Sequence, residues 1–230
     1  MPQLLPIFPD KINTFYDLFG GSGSVSLNVK SNKVVYNELN YNIYKLFELF
    51  IIYDSNTIIE HIEKRVKEFH LPTVSCDVRA KHYEEKYKLE HNDNYLKFRE
   101  FYNKSNKNYL DLYTLTFFSF CNLIRFNSKS EFNMPFGNRC FLSEHKPLIE
   151  YCCWKMKRMN IQLYNTDALQ YIKDNIDNFK QDDFIYLDPP YLNTMAVYNE
   201  KNKNNWTKDG RHWFFAVSYV DIKGKKRIKY

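Results

Sequence analysis

Short apolar runs alternate along the chain with stretches whose apolar residues recur at helical spacing. Thr14-Phe15-Tyr16-Asp17-Leu18-Phe19 reads as a strand running into Gly20-Gly21-Ser22-Gly23-Ser24, after which Val25 to Val29 begins a helix. Lys33 to Glu38 is a second strand that ends in an acid, and Tyr41 to Tyr53 places Ile43, Leu46, Phe47, Phe50 and Ile51 on one helical face. This β-α-β-α order opens a parallel, doubly wound sheet. The pattern resumes late in the chain. A helix around Ser143 to Met159 precedes the strand Ile161 to Asn165, Thr166-Asp167 caps a helix through about Ile176, and Asp183 to Leu187 is a buried strand. A last strand is expected at Trp213 to Val220, before a basic tail from Lys223 to Lys229.

Between the two halves the texture changes. Ile58, Ile59, Ile62, Val66 and Phe69 form one helical stripe and Tyr83 to Phe101 a looser one. A polar break at Asn103 to Asn108 precedes an apolar helix from about Tyr109 to Asn122. From Ile124 to Arg139, polar turn residues separate two aromatic-basic arms, the pattern of a hairpin or long ordered loop. Residues 55–159 therefore read as an insert, mostly helical, in an α/β domain made of 1–54 and 160–230.

Composition adds little. A net charge of +6 favours an anionic partner but serves solubility equally well, and the 19 Tyr and 19 Phe suit stacking surfaces. The five cysteines show no C-x-x-C spacing, so reduced thiols, a cytoplasmic location and no zinc site are expected. No signal peptide is expected at the N-terminus, and Leu112 to Ile124 is too short to span a bilayer. The six histidines (His61, His70, His82, His91, His145, His212) show no pairing and read as surface residues.

Candidate chemistry concentrates at two strand ends. The run Asp183 to Leu187 is stopped by Asp188-Pro189-Pro190-Tyr191, because each proline fixes φ and lacks an amide hydrogen. An acid, a carbonyl and a ring are thereby left at a carboxyl-terminal sheet edge, where ligands bind in open α/β folds. The Asp188 carboxylate and Pro189 carbonyl are two acceptors for the hydrogens of an aromatic amine, and Tyr191 can stack on its ring; the alternative is a plain turn with a core tyrosine. The glycines after the first strand allow close backbone approach to a nucleotide-like ligand, and Glu38 stands where an acid can accept both hydroxyls of a ribose. The run lacks both G-x-G-x-x-G and Gly-Lys-Ser/Thr, which points to a nucleoside without phosphates, such as S-adenosylmethionine. Asp167 is an acceptor for an adenine amino group, a helix cap, or both.

These residues carry a resemblance. Asp17 to Asn28 is similar to the cofactor motif, and Asp188 to Tyr191 to the catalytic motif, of the Dam-type, D12 class DNA adenine-N6 methyltransferases; Asn122 to Asn127 with Glu131 to Gly137 resembles the target-recognition hairpin of enzymes that methylate GATC. The likeness runs from about Gln3 to Tyr198. It implies a Rossmann-like S-adenosylmethionine-dependent methyltransferase sheet with an inserted target-recognition domain. It also implies methyl transfer to the N6 amino group of a flipped adenine in duplex DNA, within GATC, in a restriction-modification setting with a companion endonuclease. By that resemblance Asp188, Pro189 and Tyr191 are catalytic. Asp17, Phe19, Gly20, Gly21, Gly23, Glu38 and Asp167 bind the cofactor; Leu123 wedges into the duplex, Arg125 and Arg139 reach guanines, Pro135 touches a thymine methyl, and Asn127 belongs to the same hairpin. No metal is implied. Read without the family, Arg125 and Arg139 serve phosphates or solvent.

Two departures from the family pattern stand out. Most of the Gly- and Lys-bearing segment before Leu4-Leu5-Pro6 is missing, and a helix and final hairpin expected beyond Asp188-Pro189-Pro190-Tyr191 are absent. The alternative expectation is therefore a truncated DNA-binding remnant with weak or no activity.

Overall fold

A computed structural model describes residues 3–73 and 85–189, with the backbone alone for 85–88. Pro190, Tyr191, the expected strand at Trp213 to Val220 and the basic tail lie outside the described residues, as do Cys76, His82, Tyr83 and His212. The described residues fall into two compact units: one holds those up to Glu48 and from Trp154, the other those from Leu49 to Cys153.

The first unit is built on four parallel strands, β1 (Thr14–Asp17), β2 (Lys33–Asn37), β3 (Ile161–Tyr164) and β4 (Phe184–Tyr186), in the order β3-β2-β1-β4. Alternate side chains of the central strands enter two different cores. Phe15, Val34, Phe184 and Tyr186 pack with Phe8, Ile12 and Val29 on one face; Tyr16 and Val35 pack with Leu18, Ala168 and Tyr171 on the other. A strand buried on both faces needs apolar residues in succession, which is why β1 and β2 show no polar alternation. The aromatic excess is spent here: Phe8, Phe15 and Phe184 lie with ring centroids 5.1 to 5.8 Å apart. Asp183 ties the starts of β1 and β4, its Oδ1 accepting from Thr14 N at 3.0 Å.

Helix α1 (Tyr41–Ile52) follows β2, and α6 (Ala168–Asn175) follows β3, capped by Asp167, whose Oδ1 accepts from the amides of Leu169 and Gln170. The helix expected from Val25 is not formed. Residues 24–28 make successive turns, with Asn28 Nδ2 bonded to Ser24 O and the Ser26 hydroxyl turned inward to Asp17. Serine and asparagine side chains compete here with helical backbone bonds, and β2 starts too soon for a second turn to repay nucleation.

The second unit is helical: α2 (Ser55–Glu68), α3 (Glu85–Lys104), α4 (Tyr109–Phe118) and α5 (His145–Met156), the last running past its boundary. The stripe Ile58, Ile59, Ile62, Val66 is buried as its spacing predicts. The apolar helix from Tyr109 ends earlier than expected, at Phe118, and a 3-10 turn occupies Phe120–Asn122. Among the described residues no helix is long and apolar enough to cross a membrane.

The histidine reading needs correction. His61 Nε2 lies 2.7 Å from Asp111 Oδ1, and His145 Nδ1 accepts from Leu142 N at 2.8 Å. Pairing across 50 residues leaves no local mark in sequence. Asp111 is 1% exposed and also takes Arg65 Nε at 2.7 Å and Nη2 at 3.2 Å, while Arg65 stacks over Phe101. Burial pushes the Asp111 carboxyl up, but the bonds from His61 and Arg65 and the Arg65 charge hold it below its ordinary value.

Removing one partner of such a buried cluster leaves the rest unpaired, so Asp111→Ala is expected to cost roughly 3 to 5 kcal/mol of stability, read as a lowered urea midpoint. Because the folded carboxyl is held low, its contribution is present above the unfolded pKa and is lost as pH falls below about 4. Asp111→Ala should therefore show a weaker loss of stability than the parent between pH 5 and pH 3. Equal midpoints at neutral pH would show that the cluster anchors nothing.

Candidate functional site

Strand order determines where a ligand can enter. From β1 the chain steps outward to β2 and β3, then returns to add β4 on the other side of β1. The connections on either side of β1 therefore leave in opposite directions, and the crevice beyond the carboxyl ends of β1 and β4 is the switch point where such sheets bind ligands. A cavity of about 250 Å³ opens there, lined by Asp17, Phe19, Gly20, Gly21, Ser22, Ser24, Val25, Tyr186 and Asp188. The two motifs singled out in the sequence, the glycine turn and the acid after β4, thus wall one space. A larger cavity of about 590 Å³ lies in the other unit, lined by Lys67, His70, Phe141 and Lys146 among others, and contains none of the expected site residues.

The turn is fixed by bonds to its own backbone. Gly20 N donates to Asn37 O, Gly23 N to Gly20 O, and the Tyr36 hydroxyl to Gly21 O, at 2.8, 2.8 and 2.7 Å. A Cβ on Gly20 would stand 2.2 Å from Tyr36 Cε2, and one on Gly23, whose φ is +72°, would stand 2.0 Å from Phe47 Cε2. Tyr36 and Phe47 are themselves stacked, centroids 4.1 Å apart. The open faces of these two glycines are therefore filled by the protein's own rings, not kept clear for a ligand. They are required by packing, and the ligand-facing surface is the opposite side of the turn.

Glu38 clamps the same turn. Its Oε2 accepts from Gly21 N at 2.9 Å and its Oε1 from Asn40 N at 2.7 Å. Burial raises its pKa, and the two amides oppose that rise. Each oxygen keeps a further lone pair for a ligand hydroxyl. Asn37, missed in the sequence, is wholly buried and ties the strand ends together: its Nδ2 donates to Leu18 O and Thr166 O, and its Oδ1 accepts from Thr166 N. Asp167 is a helix cap beyond β3 and not part of the cavity wall.

Asp17 is the electrostatic centre. It is 1% exposed, its Oδ2 accepts from Ser26 Oγ at 2.7 Å, and its Oδ1 is buried with no hydrogen-bond partner among the described residues. Burial, with smaller contributions from the negative charges of Glu38 and Asp188, raises its pKa from 3.8 to about 7 against the opposing Ser26 bond. Asp188 follows β4, exposed, with the Tyr186 hydroxyl 3.4 Å from its Oδ2, and Pro189 comes next. Ser26 and Tyr186 were not read as site residues; an inward hydroxyl nine positions from its acid gives no signal in a linear pattern. Tyr191 lies outside the described residues.

In the second unit, Leu123, Arg125, Asn127, Pro135 and Arg139 sit on the loop after α4. Leu123, Arg125, Pro135 and Arg139 are exposed. Phe126 and Phe132 form an antiparallel bridge, and Asn127 shapes the tip: its Oδ1 accepts from the amides of Lys129 and Glu131 and its Nδ2 donates to Glu131 Oε2. Little sheet holds this hairpin. A stripe of side chains from α3 and just beyond it grips the returning arm instead: Tyr95 and Arg99 donate to Met134 O, Asn103 donates to Phe132 O and accepts from Phe132 N, and Lys107 donates to Ser130 O. These residues recur every fourth position, so one helical face holds one edge of an extended arm. Phe132, Met134 and Phe136 are buried as a result, and the residues between them face outward. Among the described residues no cluster of metal-ligating side chains occurs.

Comparison with known proteins gives the family. Residues 1–221 match the family described as D12 class N6 adenine-specific DNA methyltransferase. The modification methylase StsI of Streptococcus sanguinis is 36% identical over 99% of this chain and 32% of its own length, and the type II methyltransferase M.FokI of Planomicrobium okeanokoites 33% over 90% and 29%. The DNA adenine methylase of Escherichia coli K12 is 24% identical over 82% of this chain and 60% of its own. The chain thus spans about a third of the length of the first two relatives. With a family match over nearly its whole length, the chain belongs to the D12 class of N6 adenine-specific DNA methyltransferases.

Proposed function

We propose that this chain transfers a methyl group from S-adenosylmethionine to the N6 amino group of an adenine flipped out of duplex DNA. The observation that carries the reading is the shared cavity: the glycine turn with its buried acid and Asp188, the residue before Pro189, line one space at the switch point. The residues fit the cofactor. A buried carboxylate oxygen without a partner and two further acids nearby suit a ligand with cationic groups, and Glu38 suits ribose hydroxyls. When bound, the cofactor supplies a methyl group activated by a sulfonium. Asp17, Phe19, Gly20, Gly21, Gly23 and Glu38 hold it, and Asp167, a helix cap outside the cavity wall, is the acceptor at the end of β3 for its adenine amino group.

The protein's share is positioning and charge. The Asp188 carboxylate and the Pro189 carbonyl accept the two amine hydrogens, which draws the nitrogen lone pair out of conjugation and aims it at the methyl. As the nitrogen becomes cationic, the Asp188 charge stabilises it. Tyr191 stacks on the base. Flipping costs a few kcal/mol, and the second unit covers that cost through duplex contacts: Leu123 as an apolar wedge, Arg125 and Arg139 at guanines, Pro135 at a thymine methyl, with Asn127 shaping the hairpin tip. GATC is the target the hairpin implies. The higher identity to StsI and M.FokI methylases than to the E. coli enzyme makes an unbiased test of target preferable. A restriction endonuclease of the same specificity is the second partner of this reading.

Incubation with labelled cofactor and a randomised duplex pool, then sequencing of the methylated fraction, should recover one adenine-containing site. Asp188→Ala should lower the methylation rate by about 100-fold or more while cofactor binding weakens far less, since Asp188 is exposed and only one of three acids near the cofactor. Label spread evenly over the pool, or placed in RNA, would overturn the proposal.

Asp17 makes a second test. In the apoprotein its folded pKa lies above the unfolded one, so its stabilising contribution is present below pH 4 and is lost as pH rises toward 7. A cationic ligand favours the charged form, so cofactor affinity should strengthen between pH 6 and 8. Asp17→Asn should bind more weakly at pH 8 and show a flat profile, measured by equilibrium dialysis. A parent profile without a rise across this range would remove Asp17 from the site.

A further inference from the structure

Arg125 is exposed and its guanidinium is not loose. Its Nε donates to Asn133 Oδ1 at 2.8 Å and its Nη2 to Asn133 O at 3.2 Å, and Asn133 N donates back to Arg125 O at 3.0 Å. Both side-chain bonds use one edge of the guanidinium. The remaining Nη1 and Nη2 hydrogens form an outer fork of the kind that pairs with guanine O6 and N7. The residue holding it is a neutral amide, and among the described residues no carboxylate pairs with Arg125, so its charge is kept. Asn133 is itself fixed, because its neighbours Phe132 and Met134 are gripped from α3 on the opposite edge.

We propose that Asn133 is a specificity-determining positioning residue: it clamps Arg125 so that the outer fork is presented to one guanine. This rests on the reading of Arg125 as a base reader given above. The physical basis is the difference between affinity and selectivity. An arginine with free rotamers still finds phosphates and contributes to binding, but it discriminates between bases only if its fork is held in the plane of the base edge. A well-placed bidentate contact discriminates by about ten- to a hundredfold. Asn133 touches neither substrate nor cofactor in this scheme.

The test selects bound duplexes from a randomised pool with the full chain and needs no turnover. The parent should enrich one base pair that Arg125→Ala no longer enriches. Asn133→Ala should lose about tenfold or more of that preference while binding to non-selected duplex keeps its salt dependence, whereas Arg125→Ala should lower the salt slope by about one. Asn133→Asp, which retains an acceptor for Nε but adds a negative charge, should keep the base preference while lowering affinity for every duplex, and guards against a mere folding defect in the alanine variant. Three results would overturn the proposal. If Arg125→Ala loses the preference and Asn133→Ala keeps it within twofold, Arg125 reads the base unaided. If Arg125→Ala keeps it, the base-reader assignment fails. If the parent shows no preference, base reading by this chain fails altogether.

Discussion

The ring of Tyr36 is the part on which the rest of the first unit depends. It lies on β2, between β3 and β1 in the four-stranded sheet, level with Asp17 of β1, and β1 in turn pairs Asp17 with Tyr186 of β4. From that position its ring fills the space beneath Gly20, its hydroxyl holds Gly21 O, and its far face stacks on Phe47 of α1. The turn is therefore shaped by packing before any ligand arrives. A close-packed ring has little room to move, so the backbone above it is held in place. The same register delivers Tyr186 and then Asp188 beside the turn. Parallel pairing and one aromatic ring together explain why motifs some 170 positions apart in sequence share a cavity.

Much of the first unit was legible in the sequence because its signals are local. Strand β4 stopped where the prolines begin, Asp167 capped the helix after β3, and the apolar runs marked strands buried on both faces. What was not legible depends on partners far away along the chain. The glycines were read as clearing space for a ligand, and only coordinates show that Tyr36 and Phe47 take the space at two of them. The helix expected after the glycines failed because Ser26 turns its hydroxyl inward to an acid nine residues earlier. The loop from Ile124 was expected to be a hairpin, yet nothing in its own residues shows that Tyr95, Arg99 and Asn103 hold it from another element.

Two arginines show how little a residue type says by itself. Arg65 is held by Asp111 and Glu68 and stacks on Phe101, so its charge is spent inside the helical unit. Arg125 is held by the amide of Asn133 and keeps its charge. Both make short bonds to neighbours, and both are fixed in orientation. The first stabilises because one of its partners, Asp111, is an anion buried beneath it, while the second costs side-chain entropy without neutralisation, which serves recognition better than stability. The basic excess of the chain is thus a poor guide to where an anion would bind; the neutrality of the clamp is a better one.

Asp17 carries the corresponding argument in the first unit. A carboxyl with one oxygen unpartnered in a buried site destabilises the apoprotein when ionised, and its neighbours Glu38 and Asp188 add to that cost. An apolar residue there would pack without penalty, since Phe15 and Tyr16 before it and Leu18 after it are hydrophobic core. Local rules of this kind are broken chiefly where function requires it. Ser26 relieves part of the cost at one oxygen and leaves the other without a partner among the described residues. The strain is placed at the point where β1, β4 and the glycine turn converge, so a cationic ligand that satisfies Asp17 also ties those three segments together.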